Sequence, residues 1–430
     1  MSASWPGVAQ TSALTLTLAD AWRLADAASP VLRSKQAQLT AAEGTRTDAN
    51  ALLYNNPQLA VENTRRAVPQ AGLPNERLNE WKAGVSQTLE IAGQRGFRLA
   101  ASEAALAALR AEIEDTQRQL HAEVAQSFYR VLALQLRTVV DEEALKLFDS
   151  TAAAVQKRKS AGEDTKLDAN VAAVEAERAR NQLAQTREQL LEARSELATR
   201  LQLAPEVVPQ ALGDLAAGAN AVYTQEALLA SVDAQPRLQS LAARQESARA
   251  RLKLEQASRY PDVTVGVNVG REGANDSRER LTTLSVSVPL PLFRRNASGV
   301  GQATTELSQA GIERDAAARD LRAQVYTLWT KLQSLQSRVS RLQGSVLPAL
   351  AENQQLSVKS QHVGQIGLLE LIVVNRQALD ARRDLIDALL ELQSARQSLE
   401  AAAGWPLQGN QPCPFTSSQP LQRGPSWPPH

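Results

Sequence analysis

Side chains able to do chemistry are few in this chain of 430 residues, and their spacing argues against catalysis. Cys413 stands alone in a Pro-rich tail, so neither a disulfide nor a cysteine metal site is available. His121, His362 and His430 are too scattered to form a metal cluster. Paired acids such as Glu142–Glu143 lie on helical runs packed with charge, where a solvated face is the default. No phosphate-cradling Gly-rich loop and no metal-ligand spacing occurs. The chain therefore reads as no enzyme, with no cofactor and no resident metal. Its 47 basic and 46 acidic side chains cancel, so no net field points to nucleic acid.

Two acids stand out by their setting. Asp168 lies in SAGEDTKLDANVAAVEAER, from Ser160 to Arg178, and Glu370 in HVGQIGLLELIVVNRQALD, from His362 to Asp380. The two stretches match at an offset of 202, with Gly162 on Gly364, Leu167 on Leu369 and Asp168 on Glu370. In each, a Gly permits the left-handed backbone that ends a helix. An apolar residue and an acid then open the next helix, where a carboxylate suits the exposed amide ends. Each stretch reads as the bend of a helical hairpin, at 160–168 and 362–370.

The duplication extends beyond the bends. ADAWRLADAASPVLRSKQAQLTAAEG (19–44) aligns with QEALLASVDAQPRLQSLAARQESARA (225–250), which places Pro30 on Pro236. VSQTLEIAGQR from Val85 aligns with VSVPLPLFRRN from Val286, and LATRLQLAP from Leu197 with LEAAAGWPL from Leu399. A repeat of this kind decides the architecture. The chain divides into an N-terminal extension (1–16), a first repeat (17–205), a Pro/Gly/Ala linker (206–224), a second repeat (225–407) and a Pro/Gln/Ser-rich tail (408–430) expected to be disordered.

Within each repeat the period switches. After a helix over about 17–53, Leu59 and Val61 alternate with Gln58, Ala60 and Glu62. A loop with Pro69 and Pro74 leads to a stretch in which Trp81, Ala83, Val85, Gln87, Leu89 and Ile91 share one face. In the second repeat Val263, Val265, Val267 and Val269 alternate with polar residues and glycine; after a polar loop at 271–280, Leu284, Val286, Val288 and Leu290 do the same. These are two β-hairpins, at 57–92 and 261–292, with strands of about ten residues. A sheet resting on a soluble core is one reading of them. Ten residues, however, span roughly 33 Å, or about 23 Å at a 45° tilt, the height of an outer-membrane barrel's apolar band. Tyr54, Tyr260, Phe97 and Phe293 flank the strands where an interfacial girdle belongs. Four strands cannot close, so several chains must contribute if the hairpins enter lipid.

Long helical runs follow each hairpin, at about 97–160 and 298–361. Leu321, Val325, Leu328, Leu332, Leu335, Val339 and Leu342 keep a 4,3 spacing, the seam of a coiled coil. Gly344 and Pro348 are expected to kink the second run. The returning helix, about 165–203, is shorter, and the helix that opens each repeat is expected to complete its length. No run of 18 apolar residues occurs, so no transmembrane helix is expected.

In element order and internal duplication, residues 14–407 resemble the outer-membrane factor family typified by TolC, within its CzcC-like branch of cation-efflux outer-membrane proteins. The motifs that carry the resemblance are TLADAWRLADAASPVL, VSQTLEIAGQRGFRLA and VGQIGLLELIVVNRQALD. The resemblance implies an α+β fold of long antiparallel coiled-coil helices with two two-stranded hairpins. As a homotrimer it would form a twelve-stranded membrane β-barrel continued by an α-helical barrel. It also implies the outer-membrane channel of a tripartite efflux system, a passive duct across outer membrane and periplasm, with heavy-metal cations as cargo. Its partners would be a periplasmic adaptor, an inner-membrane RND pump and outer-membrane lipid. Gly162, Leu167, Asp168, Gly364, Leu369 and Glu370 are then the candidates for docking the adaptor. Glu370 also matches the acid of the closed periplasmic gate, while Val373 holds the place of a second acid. Val85, Leu89, Val263, Val265, Val267, Val286 and Val288 would face lipid, and Glu62, Thr88, Glu90 and Asn268 the barrel lumen.

One feature pulls the other way. Met1–Leu16 has no charged start followed by an apolar core, which taken alone points to the cytoplasm. The family's secretory leader is therefore expected to be absent from this chain or differently bounded. A soluble structural coiled-coil protein, or a periplasmic adaptor, is the alternative reading.

Overall fold

The computed structural model describes residues 13–405 except 71, 218–222, 274–277 and 363–364. In chain order it holds β1 (Ala13–Leu16), α1 (Leu18–Ala28), α2 (Pro30–Asn50), β2 (Gln58–Gln70), β3 (Leu73–Leu89), α3 (Gln94–Ser160), α4 (Lys166–Arg200) and β4 (Val208–Ala211). There follow α5 (Gln225–Ser231), α6 (Pro236–Ala257), β5 (Val263–Glu272), β6 (Glu279–Ser287), α7 (Ala297–Arg341), α8 (Leu347–His362) and α9 (Leu368–Ala403). Two compact units result. A helical unit takes the described parts of 1–33, 115–235 and 320–430, and a sheet unit takes those of 34–114 and 236–319. No helix among the described residues is long and apolar enough to cross a membrane.

The periodicity predicts one helix over 17–53, but the structure has two. Proline has no N–H to give and pushes the preceding residue out of the helical region. Ser29 accordingly takes ψ 118° before Pro30, and Gln235 takes ψ 131° before Pro236. The extension and the linker are also corrected, because each contributes a strand. β1 and β4 pair in parallel, Ala13 with Val208 through Leu16 with Ala211. Gln135 on α3 clamps this pair, accepting from the Ala211 N–H at 3.0 Å and donating to its carbonyl at 3.2 Å.

In the helical unit the expected seam is largely buried: Leu321, Val325, Leu332, Leu335 and Val339 all face inward. Val124, Phe128 and Val131 of α3 are buried as well. At Gly344 the expected kink takes the form of a π-helical turn, Leu342–Val346, in which the Leu347 N–H donates to the carbonyl of Leu342. Pro348 cannot donate one turn back, and the wider turn absorbs that loss.

In the sheet unit β2, β3, β5 and β6 form one antiparallel sheet in that order. β2 and β3 have 13 and 17 residues, longer than the expected ten, because Pro69 and Pro74 lie inside strands and not in a loop. The register slips between Val68 and Gln70, where Pro69 has no N–H for the ladder. Arg271 pairs with Arg280 and Glu272 with Glu279, so the ends of the expected 271–280 loop belong to the ladder. β6 ends at Ser287, which leaves Val288 and Leu290 beyond it.

Below the sheet, Glu112 of α3 lies between Lys35 of α2 and Arg244 of α6, the latter at 2.7 Å. Burial pushes its pKa up, but the two cations outweigh that and hold it below the ordinary 4.5. A depressed carboxylate stabilises fully above its unfolded pKa, and that contribution is lost as pH falls through the folded value. Wild type is therefore expected to lose more thermal stability than Glu112→Gln between pH 7 and pH values below 4.5, as read by melting temperature in detergent.

Candidate functional site

Two surfaces carry the candidate residues, the sheet and the pair of bends. The register sorts the sheet's faces. Leu59, Val85, Val267 and Leu284 lie side by side across the four strands; Gln87, Val265 and Val286 form the row next to them. That face is apolar and open, with Leu59 73%, Leu284 71% and Val286 65% exposed. Single exposed hydrophobes are ordinary, but a contiguous row across four strands marks an interaction surface. Val85 and Val267 lie in it about half exposed, at 50% and 49%, while Leu89, Val263 and Val265 are more buried. Val288 is exposed one residue past the strand.

On the opposite face lie Ser86, Gly266 and Ser285, then Gly84, Asn268 and Thr283, then Glu62, Lys82 and Gly270. All three glycines of this sheet region are on that side, and it is crowded. A Cβ on Gly84 would come within 2.9 Å of the Val267 carbonyl, and one on Gly270 within 2.9 Å of the Trp81 carbonyl. Crowding of this kind belongs to the inner surface of a coiled sheet. Gly84→Val is expected to lower the unfolding free energy by about 1–3 kcal/mol. Asn268→Ala should restore only part of it, because the backbone carbonyl stays in place. Equal stability of Gly84→Val and wild type would contradict this account.

Of the expected lumen residues, Glu62 and Asn268 occupy this polar face, as does Thr88, whose hydroxyl is 2.9 Å from that of Thr264. Glu90 sits one residue past β3 and is ion-paired with Arg98, which in turn lies 3.6 Å over the ring of Tyr54. Sequence reasoning missed this cluster because Glu90 and Arg98 look like unrelated surface charges.

Both bends belong to the helical unit, and each is built from local hydrogen bonds. At the first, Gly162 has φ +81°; its N–H donates to Lys159 and that of Glu163 to Arg158, the pairing that closes a left-handed helix end. Thr165 then caps α4. Its hydroxyl donates to Asp168 at 2.6 Å and accepts from the Asp168 N–H at 3.1 Å. Asp168 is thus the acid of a capping box. At the second bend, Glu370 accepts from the Gly367 N–H at 3.0 Å. Gly364 lies outside the described residues, as do Cys413 and His430. Leu167 and Leu369 are 71% and 64% exposed, and Val373 is exposed beside them. Leu368 turns inward onto Val155, Ala169 and Ala172 of the first hairpin, so the two bends meet side by side.

Behind the bends is a network the sequence did not disclose. Arg383 of α9 donates to the fully buried Asp141 of α3 at 2.8 and 2.6 Å, and Thr186 of α4 donates to the same carboxylate at 2.6 Å. Arg376 and Arg178 share Glu175 in the same way. Glu142 and Glu143 are ordinary members of this lattice, paired with Arg187 and Arg382.

With this geometry in place, comparison with known proteins is informative. The family model described as outer membrane efflux protein matches residues 22–201 and 228–405, one copy per repeat. The cobalt-zinc-cadmium resistance protein CzcC of Cupriavidus metallidurans is 24% identical over 391 residues, 90% of each chain. A solved structure of CusC is similar with TM-score 0.75 at 19% identity, covering 90% of this chain and 92% of its own. The outer membrane protein VceC of Vibrio cholerae is similar with TM-score 0.73 at 18% identity, covering 90% and 96%. These likenesses show the fold.

Proposed function

Because the chain belongs to the outer membrane efflux protein family, a family of ducts and not of enzymes, we propose that it is the passive outer-membrane channel of a tripartite efflux system. The soluble coiled coil and the periplasmic adaptor are set aside by that membership. The observation that carries the reading is the four-stranded sheet, with one open apolar face, one crowded polar face and two edges, β2 and β6, that are unpaired among the described residues. In lipid a free edge leaves backbone groups unsatisfied, so the sheet must close against others. Three chains supply twelve strands, with the valines turned to the acyl chains and Glu62, Thr88 and Asn268 to the lumen. The helices carry the bore into the periplasm.

At its inner end, the bends dock a periplasmic adaptor that links the duct to an inner-membrane RND pump. Leu167 and Leu369 are the apolar contacts, and Gly162, Asp168 and Glu370 shape the turns that present them. Three Glu370 carboxylates meeting on one axis repel by about 1 kcal/mol per pair at close range in water, and by more where water is scarce. They therefore favour an open mouth unless cations or protons screen them. Heavy-metal cations are the proposed cargo, since CzcC is named for resistance to cobalt, zinc and cadmium. The test is co-purification from membranes. Leu167→Asp with Leu369→Asp is expected to leave trimers in the outer membrane and to lose the adaptor. Retention of the adaptor by that variant would refute the docking role.

A further inference from the structure

Toward the hairpin turns the two faces of the sheet differ in charge. On the face that carries the valines, the row of Val61, Ala83, Val269 and Thr282 gives way to Asn63, Trp81, Arg271 and Arg280. Beyond it come Arg65 with Asn79, then Ala67 with Arg77. All four arginines are exposed, and no carboxylate shares these rows. At the same height the other face holds Glu62 with Lys82, Thr64 with Glu80, and Glu272 with Glu279. There the cations are paired: Lys82 lies 2.8 Å from Glu272, and Arg66 lies 3.0 Å from Glu80. Among the described residues Arg65, Arg77, Arg271 and Arg280 have no such partner. One sheet thus carries unpaired cations on its apolar side and paired charges on its polar side.

We propose that these arginines form a belt that binds the phosphates of lipopolysaccharide, the phosphorylated glycolipid of an outer membrane's outer leaflet. Height agrees with this. Ten residues on from Trp81 is the exposed Ile91, just past the other end of β3. That length is roughly 33 Å of strand, or about 23 Å at a 45° tilt, the height of a barrel's apolar band. Trp81, 42% exposed, then sits where an amphipathic ring marks the lipid boundary, and the arginines lie level with it and beyond, among headgroups. Chemistry agrees as well. A guanidinium offers paired donors that match phosphate oxygens, whereas a zwitterionic headgroup would bring an ammonium to rows that hold no carboxylate. Arg65 lies on β2 and Arg280 on β6, the two edge strands, so closure of three chains would make the belt continuous. The inference rests on the reading that the sheet spans the outer membrane with its hairpin turns outward.

Native mass spectrometry of the full-length protein in detergent tests it. The probes, added separately, are bisphosphorylated lipid A, lipid A stripped of its phosphates, phosphatidylglycerol and inorganic phosphate. An arginine at an anionic lipid surface is worth about fivefold in affinity. Wild type is therefore expected to hold bisphosphorylated lipid A about twentyfold more tightly than the stripped form, with phosphatidylglycerol between them and inorganic phosphate not retained. Arg65→Gln, Arg77→Gln, Arg271→Gln and Arg280→Gln combined remove the preference, and being exposed changes they leave the sheet intact. Arg66→Gln with Lys82→Gln, on the opposite face, preserves it. Equal retention of the two lipid A forms by wild type, or an unchanged preference in the fourfold variant, would overturn the proposal. So would an equal loss in the opposite-face variant, or phosphatidylglycerol or inorganic phosphate bound as tightly as bisphosphorylated lipid A. Membrane fractionation separates the levels of failure. A trimer that reaches the outer membrane but shows no preference refutes the belt alone, whereas a chain that never reaches it refutes the membrane reading and the belt with it.

Discussion

Val267→Arg is expected to remove the protein from the outer membrane, whereas Thr283→Arg is expected to leave it there. Val267 is the fifth residue of β5 and lies on the apolar face beside Val85 and Leu284. Arginine at the middle of a bilayer costs about 2–4 kcal/mol on a barrel's lipid face. A threefold assembly incurs that cost three times, which is comparable with the whole stability of a typical domain. Thr283 lies on the opposite face, across from Asn268, where a guanidinium would meet water. The measurement is the amount of heat-modifiable trimer extracted from outer membranes. Assembly of Val267→Arg at the wild-type level would remove the assignment of the two faces.

Asp141→Ala is expected to be the most damaging single change in the helical unit. This buried carboxylate accepts from Arg383 and Thr186, so one side chain joins α3, α4 and α9. Removing it leaves Arg383, itself only 18% exposed, with Asp380 at 2.8 Å as its remaining carboxylate, and leaves a buried hydroxyl without its acceptor. Loss of one partner from a buried ion pair costs about 3–5 kcal/mol. Replacing both charges, as in Asp141→Leu with Arg383→Leu, is expected to recover most of that loss, because what is costly is a largely buried guanidinium that has lost its buried partner. Unfolding free energies in detergent of Asp141→Leu, Arg383→Leu and the double variant, beside that of Asp141→Ala, measure the coupling. A double variant no more stable than Asp141→Ala would show that the pair is not the source of the effect.

How far the amino-acid order announces these features depends on how local their causes are. The alternation of Val263, Val265, Val267 and Val269 is a local signal, and β5 is where that alternation places it. The bends were legible for the same reason: the glycine at 162 and the Thr165–Asp168 box act within four residues. Where two local rules conflict, the reading fails. Pro69 and Pro74 look like loop residues, yet cross-strand pairing carries β2 and β3 through them at the cost of a register slip. Pro30 was visible, and its local rule, a preceding residue held out of the helical region, splits the helix where the apolar periodicity alone runs on. Long-range pairings leave no local trace. β1 meets β4 across nearly the length of the first repeat, and Arg383 meets Asp141 from the other repeat. The cluster of Glu90, Arg98 and Tyr54 is assembled from three separate segments, and none of them is distinctive alone.

The account depends most on the edges of the sheet. Among the described residues β2 and β6 each have one partner, and the proposal requires that β2 of one chain meet β6 of the next. With Cys413 changed to Ser, single cysteines at Ala60 on β2 and Thr283 on β6 can report on that contact after oxidation in intact outer membranes. The account predicts a covalent species of three times the 46.5 kDa chain mass when both cysteines are present, and none when either is missing. Oxidised samples that run only as single chains, from membranes that contain the protein, would contradict it.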